Sequence, residues 1–499
     1  MIVPPAEAGH LVRYDGAMNT TCPRRSIRSR RLLIRLAPLL ALAWIVKPVA
    51  QADAIDDYLV QERAARQIPG LAMAIVRHGH VERVSTYGTA NLETATPVAP
   101  DSVFAIASLD KAIITTGVLK AAELGKLTVD DPISKHVDVA LPGVTLAMLL
   151  GHTSGLPDMP DLLAAHYGAH SFLQYSTAEL LAAVHDAVPS GPPGWQYSYS
   201  DAGLFLAQLA TEHATGKPWF EFMQESLFRP AGMLHVVEFD SHAIIPRRVA
   251  GYTFDEKQQL IRDDRTDINY DTMYNDIGMT IGDFARWMIM LDGHGPLSAA
   301  SLQRMCTQTM LADGTPAREV YSFSGYGLGT GLDDVLGERM ILHTGHSGVA
   351  WVKFPALDLG VVVFTNLEHP KGSDPAGMAL AVAGLLEPRL SLRTLLAPKT
   401  AEPLAAKGLR RDYELFLAGT PDLRRYTTHM QPTMWANRET FTGRLPRLGP
   451  LVSWQFLRAA PVDGEPTLLF RAAHAHGEIY VRYSLDPDGR ISRLVWWHL

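Results

Sequence analysis

The chain has 499 residues, more than one hydrophobic core usually organises, and its 47% hydrophobic and 19% charged residues are an ordinary globular balance. That combination excludes a disordered or fibrous polymer and predicts two domains. With 45 basic against 52 acidic residues the net charge is −7, which disfavours a nucleic-acid partner, and no apolar run beyond the N-terminus is long enough for a bilayer-spanning helix.

Taken from the start, Arg24, Arg25, Arg28, Arg30, Arg31 and Arg35 precede an apolar run over residues 36–46, and Ala50-Gln51-Ala52 has the small-x-small form of a cleavage site. The pattern predicts an export signal over residues 1–52 and a periplasmic or secreted protein. The run is about half the length of a spanning helix and contains Pro38, which argues against a membrane anchor. Ser29-Arg30-Arg31-Leu32-Leu33 resembles a twin-arginine signal, so both export routes stay open, and Met18 is an alternative start. Loss of the segment removes eight basic and two acidic residues, leaving 37 against 50, or −13. Cys22 leaves with it, so Cys306 has no intrachain disulfide partner and is expected as a small buried apolar residue.

Residues 53–67 read as a helix and residues 70–88 as two strands joined at His78-Gly79 on one edge of a sheet. A helix follows over residues 107–125, with Ile113, Val118, Leu119 and Ala122 at helical spacing and Ser108 in its first turn. Residues 127–290 read mostly as short helices and loops punctuated by Pro and Gly, a helical insertion. Strands return over residues 326–332, 339–343, 349–354 and 359–366 as an antiparallel meander, closed by a helix over 377–386. Pro398 and Pro403 mark a linker over 391–407 between a domain at 53–390 and an accessory domain at 408–499. The accessory domain reads as a helix over 411–417 followed by strands over 452–457, 467–471, 478–483 and 491–497. The expected fold class is α+β: an antiparallel sheet flanked by helices, with a helical subdomain, then a small C-terminal α+β domain.

Of eleven lysines, only Lys111 has a serine three residues before it. Residues at i and i+3 face each other on a helix, and a serine hydroxyl attacks a carbonyl only when a neighbour takes its proton. A helix N-terminus also favours developing negative charge. Taken alone, the spacing equally describes a helix with an N-terminal serine and a solvated lysine. Two further stretches change that: Tyr199-Ser-Asp201 stands just before an apolar helix, and Leu342-His343-Thr344-Gly345-His346 lies on a predicted strand.

The order S-x-x-K, Y-S-[ND], [KH]-T-G resembles the serine β-lactamase and penicillin-recognising superfamily. It is most similar to the class C β-lactamase-related group with its D-Ala-D-Ala carboxypeptidases, D-aminopeptidases and family VIII carboxylesterases. Leu149-Leu-Gly-His152-Thr-Ser-Gly-Leu-Pro, Ala214-Thr-Gly-Lys-Pro and Val361-Val-Val-Phe-Thr-Asn extend the resemblance over roughly residues 55–390. It implies a penicillin-binding-protein-like fold, Ser108 as acylated nucleophile, Lys111 as base or proton relay, and Tyr199 as a phenolic base whose pKa Lys111 lowers. His343, Thr344 and Gly345 would line an edge strand against the substrate, and the N–H groups of Ser108 and His346 would form the oxyanion hole. No metal or organic cofactor is implied.

Two positions depart from the family pattern. Asp201 replaces an amide that donates to the substrate, which an ionised carboxylate cannot do. His343 replaces a charged lysine that binds substrate carboxylates, whereas histidine is mostly neutral at pH 7. Both favour an ester or small amide substrate for an exported serine hydrolase. A D-amino-acid peptidase or carboxypeptidase, or a β-lactamase, is the alternative within the same chemistry. A catalytically weak cell-wall- or ligand-binding module is the alternative of another class. The pocket is expected from residues 157–176 and 270–277, His152 is expected to order its loop, and His166 with His170 lacks the carboxylate and firm helix of a zinc site. Oligomeric state is left open.

Overall fold

Helix α1 (Val46–Ala65) buries Ile55, Tyr58 and Leu59 at helical spacing. It begins upstream of the expected residue 53 and runs through Ala52. A computed structural model describes residues 46–168, 175–239, 243–263, 277–318, 323–369, 372–398, 402–436, 438 and 448–498, so most of the expected export signal and His170 lie outside the described residues. Strands β1 (Gly70–Arg77) and β2 (His80–Asn91) are joined at His78 and Gly79, whose φ values of +54° and +71° close a tight hairpin. β3 (Thr96–Pro97) lies outside β2. β4 (Phe104–Ala105) then leads to a 3-10 turn over Ala107–Leu109 and helix α2 (Asp110–Glu123). The single helix expected from residue 107 is thus divided: Ala107 at φ +45° cannot continue an α-helix, and Ser108 stands on the 3-10 turn.

A helical layer follows: α3 (Leu146–Leu150), α4 (Met159–Tyr167), α5 (Thr177–His185), α6 (Asp201–Thr215) and α7 (Trp219–Met223). Thr145, Asp158, Ser176 and Ser200 start the first four by accepting backbone N–H groups, and Gly216 at φ +70° ends α6. The segment is not purely helical. It contains β5 (Val237–Glu238), β6 (Tyr252–Phe254), β7 (Leu260–Arg262) and β8 (Ile277–Met279), strands too short for an alternating pattern to register. β4, β8 and β5 form a small sheet beside the start of α2. Helices α8 (Ile281–Met290) and α9 (Ala299–Met305) complete the layer.

β9 (Gly325–Tyr326), β10 (Gly331–Val335), β11 (Glu338–Gly345), β12 (Val349–Phe354) and β13 (Leu359–Thr365) form the meander, and α10 (Pro375–Leu386) packs on it. The sheet has eight strands in the order β3-β2-β1-β13-β12-β11-β10-β9, with Leu71 opposite Thr365 and Arg77 opposite Leu359. Both faces are buried. Ala72, Ala74, Val76, Trp351, Val362 and Phe364 face the helical layer, where Trp351 meets Trp287 with ring centres 5.2 Å apart. Leu71, Met73, Ile75, Val361 and Val363 face α1 and α10. Each such fully buried side chain stabilises the fold by about 1.5–3 kcal/mol.

Leu392, within the expected linker, joins the core that faces α1 and α10. Beyond it come α11 (Leu409–Leu417), α12 (Gln431–Ala436) and a four-stranded antiparallel sheet of β14 (Leu451–Ala459), β15 (Thr467–His474), β16 (Gly477–Leu485) and β17 (Ile491–His498). One face of this sheet, with Phe470, Val481 and Leu494, closes on Leu409, Tyr413 and Phe416 of α11. The other face places Leu469, Tyr480, Val495 and Trp497 in the core shared with β1, β13 and α10.

Candidate active site

Ser108 meets Tyr199 first of all: the Tyr199 hydroxyl donates to Ser108 Oγ at 3.0 Å, although 91 positions separate them. Ser108 is held on the turn before α2, and Tyr199 on the irregular segment that ends at the α6 N-cap, Ser200. The end of β11 is pressed against the same turn. A Cβ on Gly345 would lie 2.9 Å from the Ile106 carbonyl oxygen and 3.2 Å from Ala107 Cβ, so glycine permits this approach. Ser347 Oγ donates to the Ala105 carbonyl at 2.8 Å and fixes it. Residues 345–347 therefore flank Ser108, the neighbourhood a paired oxyanion hole of Ser108 and His346 N–H groups requires.

Lys111 is buried on the first turn of α2, with its ammonium 2.9 Å from Asp201 Oδ1 and 3.2 Å from Asp110 Oδ1. It also lies 5.8 Å from the centre of the Tyr199 ring. Asp201 is thus not turned toward a substrate as its family position implied; it is buried and matched to Lys111. A third carboxyl stands behind it. Asp158, the α4 N-cap, accepts the Asp201 N–H at 2.6 Å and the Met159 N–H at 3.0 Å, which ties the starts of α4 and α6 together. Burial and the Asp201 charge hold the Asp158 carboxyl above the usual carboxylate range, against the pull of those N–H groups and Lys111.

Burial also pushes the Tyr199 phenol well above its usual range, while Lys111 pulls it down and Asp201 pushes it further up. The lowering expected from Lys111 is present, but burial outweighs it in the resting site. Tyr199 is accordingly a neutral phenol that donates to Ser108.

His343 differs from its expected role. Its ring is buried, with Nδ1 2.8 Å from the Thr344 carbonyl and Nε2 3.0 Å from the Tyr326 hydroxyl, so it is engaged on both sides rather than presented to a substrate. The carbonyl can only accept, which places the proton on Nδ1 and makes Nε2 the acceptor for Tyr326. Burial pushes its pKa down to about 3, so it is neutral. β10 pairs with β11 as far as Leu342 opposite Gly331, and residues 343–345 run past that pairing, paired among the strands only with β12. Thr344 and His346 are half-buried at the end of β11.

Sequence reasoning missed three neighbours of this centre: Asp110, Asp158 and Tyr326. Tyr326 packs 5.0 Å from the His152 ring, and His152 stacks 4.3 Å from the Tyr199 ring while its Nδ1 accepts the Ser200 N–H at 3.1 Å. His152 orders its loop as expected and, in addition, supports Tyr199. The β9–β10 turn touches α2 directly, since a Cβ on Gly329 would lie 2.4 Å from the Lys111 carbonyl oxygen. Asp158 carried one visible signal, its N-cap position before Met-Pro-Asp-Leu.

Much of the expected pocket, residues 169–174 and 270–276, lies outside the described residues. His166 pairs with Asp186 at 2.9 Å, and among the described residues no group of three or more His, Cys, Asp or Glu is placed to hold a metal. Burial raises the Cys306 thiol to about 11, which suits an inert packed side chain. An open cleft between the β10–β11 turn and the C-terminal sheet, lined by Leu336, Leu392, Leu469, Arg482 and Trp497, touches none of the residues around Ser108.

The chain is 29% identical over 202 residues to esterase EstB of Burkholderia gladioli, covering 37% of this chain and 50% of EstB. It is 29% identical over 206 residues to the D-alanyl-D-alanine-carboxypeptidase/endopeptidase AmpH of Escherichia coli, covering 38% and 50%. The chain spans about half the length of the curated relatives it matches. In fold it resembles the octameric penicillin-binding protein homologue from Pyrococcus abyssi, with TM-score 0.59 and 20% identity over 88% of this chain and 97% of that one. The sequence model of the Beta-lactamase family matches residues 55–385, and the chain belongs to that family.

Proposed function

We propose that the protein is an exported serine hydrolase that cleaves an ester or a small amide through an acyl-enzyme on Ser108. The 3.0 Å contact between Tyr199 Oη and Ser108 Oγ carries this reading, because it sets the nucleophile within hydrogen-bond reach of a phenol that takes its proton once ionised. In the reactive form Tyr199 is a phenoxide, favoured by the Lys111 ammonium beside its ring. Ser108 Oγ attacks the carbonyl carbon as its proton passes to Tyr199, and the oxyanion forms between the N–H groups of Ser108 and His346. Collapse breaks the bond to the leaving alcohol or amine, which takes the proton from Tyr199. Water then attacks the acyl carbon, gives its proton to Tyr199, and Ser108 leaves with a proton restored.

The ester preference rests on His343. A neutral, fully engaged imidazole stands where the family pattern has a lysine, so β11 supplies no charge there for a substrate carboxylate. The name of EstB is that of an esterase and supports this reading, while the name of AmpH supports the D-alanyl peptidase alternative. The test is hydrolysis of p-nitrophenyl butyrate, a chromogenic cephalosporin and a D-alanyl p-nitroanilide by the wild type and Ser108→Ala. Ester hydrolysis that vanishes in the variant is expected. Hydrolysis that survives Ser108→Ala removes the mechanism, and failure on all three without an acyl adduct favours a binding module.

A further inference from the structure

Arg482, on β16 of the C-terminal sheet, is a buried cation that the reaction scheme does not use. Its guanidinium crosses from that sheet to the β9–β10 hairpin. It pairs with the Asp333 carboxylate, donates to Ser324 Oγ and to the Asp334 carbonyl, and lies 5.0 Å from the centre of the Trp497 ring. Ser324 Oγ in turn donates to Asp333. In the register of the hairpin, Leu332 faces Gly325 and Gly331 faces Tyr326, so Ser324 and Asp333 stand on its two strands at the end away from the turn. One planar fork holds both strands.

The other end of the same hairpin is the wall of the Ser108 site. Tyr326 bonds His343 and packs on His152, which stacks on Tyr199. Gly329 donates its N–H to the Leu150 carbonyl at 2.9 Å and lies against the Lys111 carbonyl. Arg471 to the Leu395 carbonyl and Arg318 to Glu465 do not reach these strands, and Arg458 reaches only the Leu336 carbonyl, just beyond β10 on the side away from β9. We infer that Arg482 is a positioning residue, by which the C-terminal domain holds the β9–β10 hairpin so that Tyr326 and Gly329 keep Tyr199 and Lys111 aligned with Ser108. The inference rests on the Ser108 reading and gives the C-terminal domain a part in the reaction beyond adding core.

The test compares Arg482→Met with Arg493→Met. Arg493 is a similarly buried arginine of the same domain whose ion pairs go to Asp463 and Glu465, neither of them in the hairpin. Ester hydrolysis, labelling of Ser108 by a fluorophosphonate probe and thermal unfolding are measured on all three proteins. Arg482→Met is expected to lower kcat about tenfold with KM within about threefold, the size of effect seen for residues coupled through packed networks. Arg493→Met is expected to lower the melting temperature while leaving kcat within twofold. If Arg482→Met does not fold, Arg482→Met with Asp333→Leu removes both charges at once and is expected to show the same loss of kcat. Equal kcat losses in the two arginine variants, or a folded Arg482 variant within twofold of wild type, overturn the inference. Wild-type protein that the probe does not label at Ser108 overturns instead the reading on which it rests.

Discussion

Lys111 and Arg482 are both buried cations matched by carboxylates, yet their surroundings are built to opposite ends. The Lys111 ammonium, a compact charge with rotatable donors, faces Asp110 and Asp201, with Asp158 behind and the Tyr199–Ser108 hydroxyl pair beside it. Arg482 presents a planar fork to one carboxylate, one hydroxyl and one carbonyl, and every donor is directional. The first cluster has more acidic groups than cations and sits against hydroxyls that can pass a proton. The second is matched one to one and has nothing to exchange. Surplus titratable groups suit chemistry and a matched fork suits alignment, so substitutions at the two places should differ in kind.

The largest expected effect is at Ser108. Ser108→Ala should lower ester hydrolysis by about 10⁴-fold or more, as loss of a nucleophile does, with melting temperature nearly unchanged because the side chain is small and only half-buried. Tyr199→Phe should follow, with a fall of about 10² to 10⁴-fold in kcat and little change in KM, since the phenol moves protons rather than gripping substrate. A loss below tenfold in a stopped-flow acylation assay would show that Tyr199 is a spectator. On the other side of the molecule, Phe470→Ala empties the core between the C-terminal sheet and α11 and should cost about 3–5 kcal/mol in urea unfolding. Its kcat at low temperature should stay near wild type, in contrast to the Ser108 variants.

Asp201→Asn separates the two kinds of cluster more finely. It removes one carboxylate from Lys111 and with it the charge that pushes the Tyr199 phenol up. The phenol should therefore titrate at lower pH, and the alkaline-favoured limb of kcat/KM should move toward neutral. A shift of one unit would raise the phenoxide fraction about tenfold below the midpoint. A limb that stays in place, or moves to higher pH, would show that Asp201 does not tune Tyr199.

How much of this was legible in the sequence depends on how far apart the partners lie. Ser108 and Lys111 were readable because helical spacing fixes i and i+3, and Tyr199 because a motif order places it. β1, β13 and the strands of the C-terminal sheet were readable for a similarly local reason, short runs of strand-forming residues between turns. Asp158 with Asp201 spans 43 positions, and Asp333 with Arg482 spans 149, with no periodicity to connect either pair. The 3-10 turn at Ser108 depends on one residue, Ala107, adopting a left-handed φ that its side chain does not announce. His343 was placed on the right strand, but which neighbours closed around its ring depended on Tyr326, which no local pattern marks.

That closure makes His343 the smallest and sharpest of the expected effects. In the folded protein its pKa is pushed down to about 3 by burial, against an ordinary value of 6.5. Between those values the unfolded chain holds a proton that the folded chain lacks, so His343 contributes full stability above about pH 6.5. That contribution is lost as pH falls toward 3, at about 1.4 kcal/mol per unit. His498, also pushed down to about 3 by burial, and His152, which burial pushes well below its usual range, add slopes of the same sign. Asp158 acts the other way: its raised pKa means the folded chain holds the extra proton, so its contribution falls as pH rises above the ordinary carboxylate value. Urea unfolding from pH 4.5 to 6, where the unfolded histidines are still protonated, should therefore show stability rising with pH in the wild type, rising by about one proton less steeply in His343→Gln, and rising more steeply in Asp158→Asn. An unchanged slope in His343→Gln would mean that the imidazole is protonated in the fold. The neutral strand end would then be gone, and the argument for an ester over a carboxylate-bearing substrate would go with it.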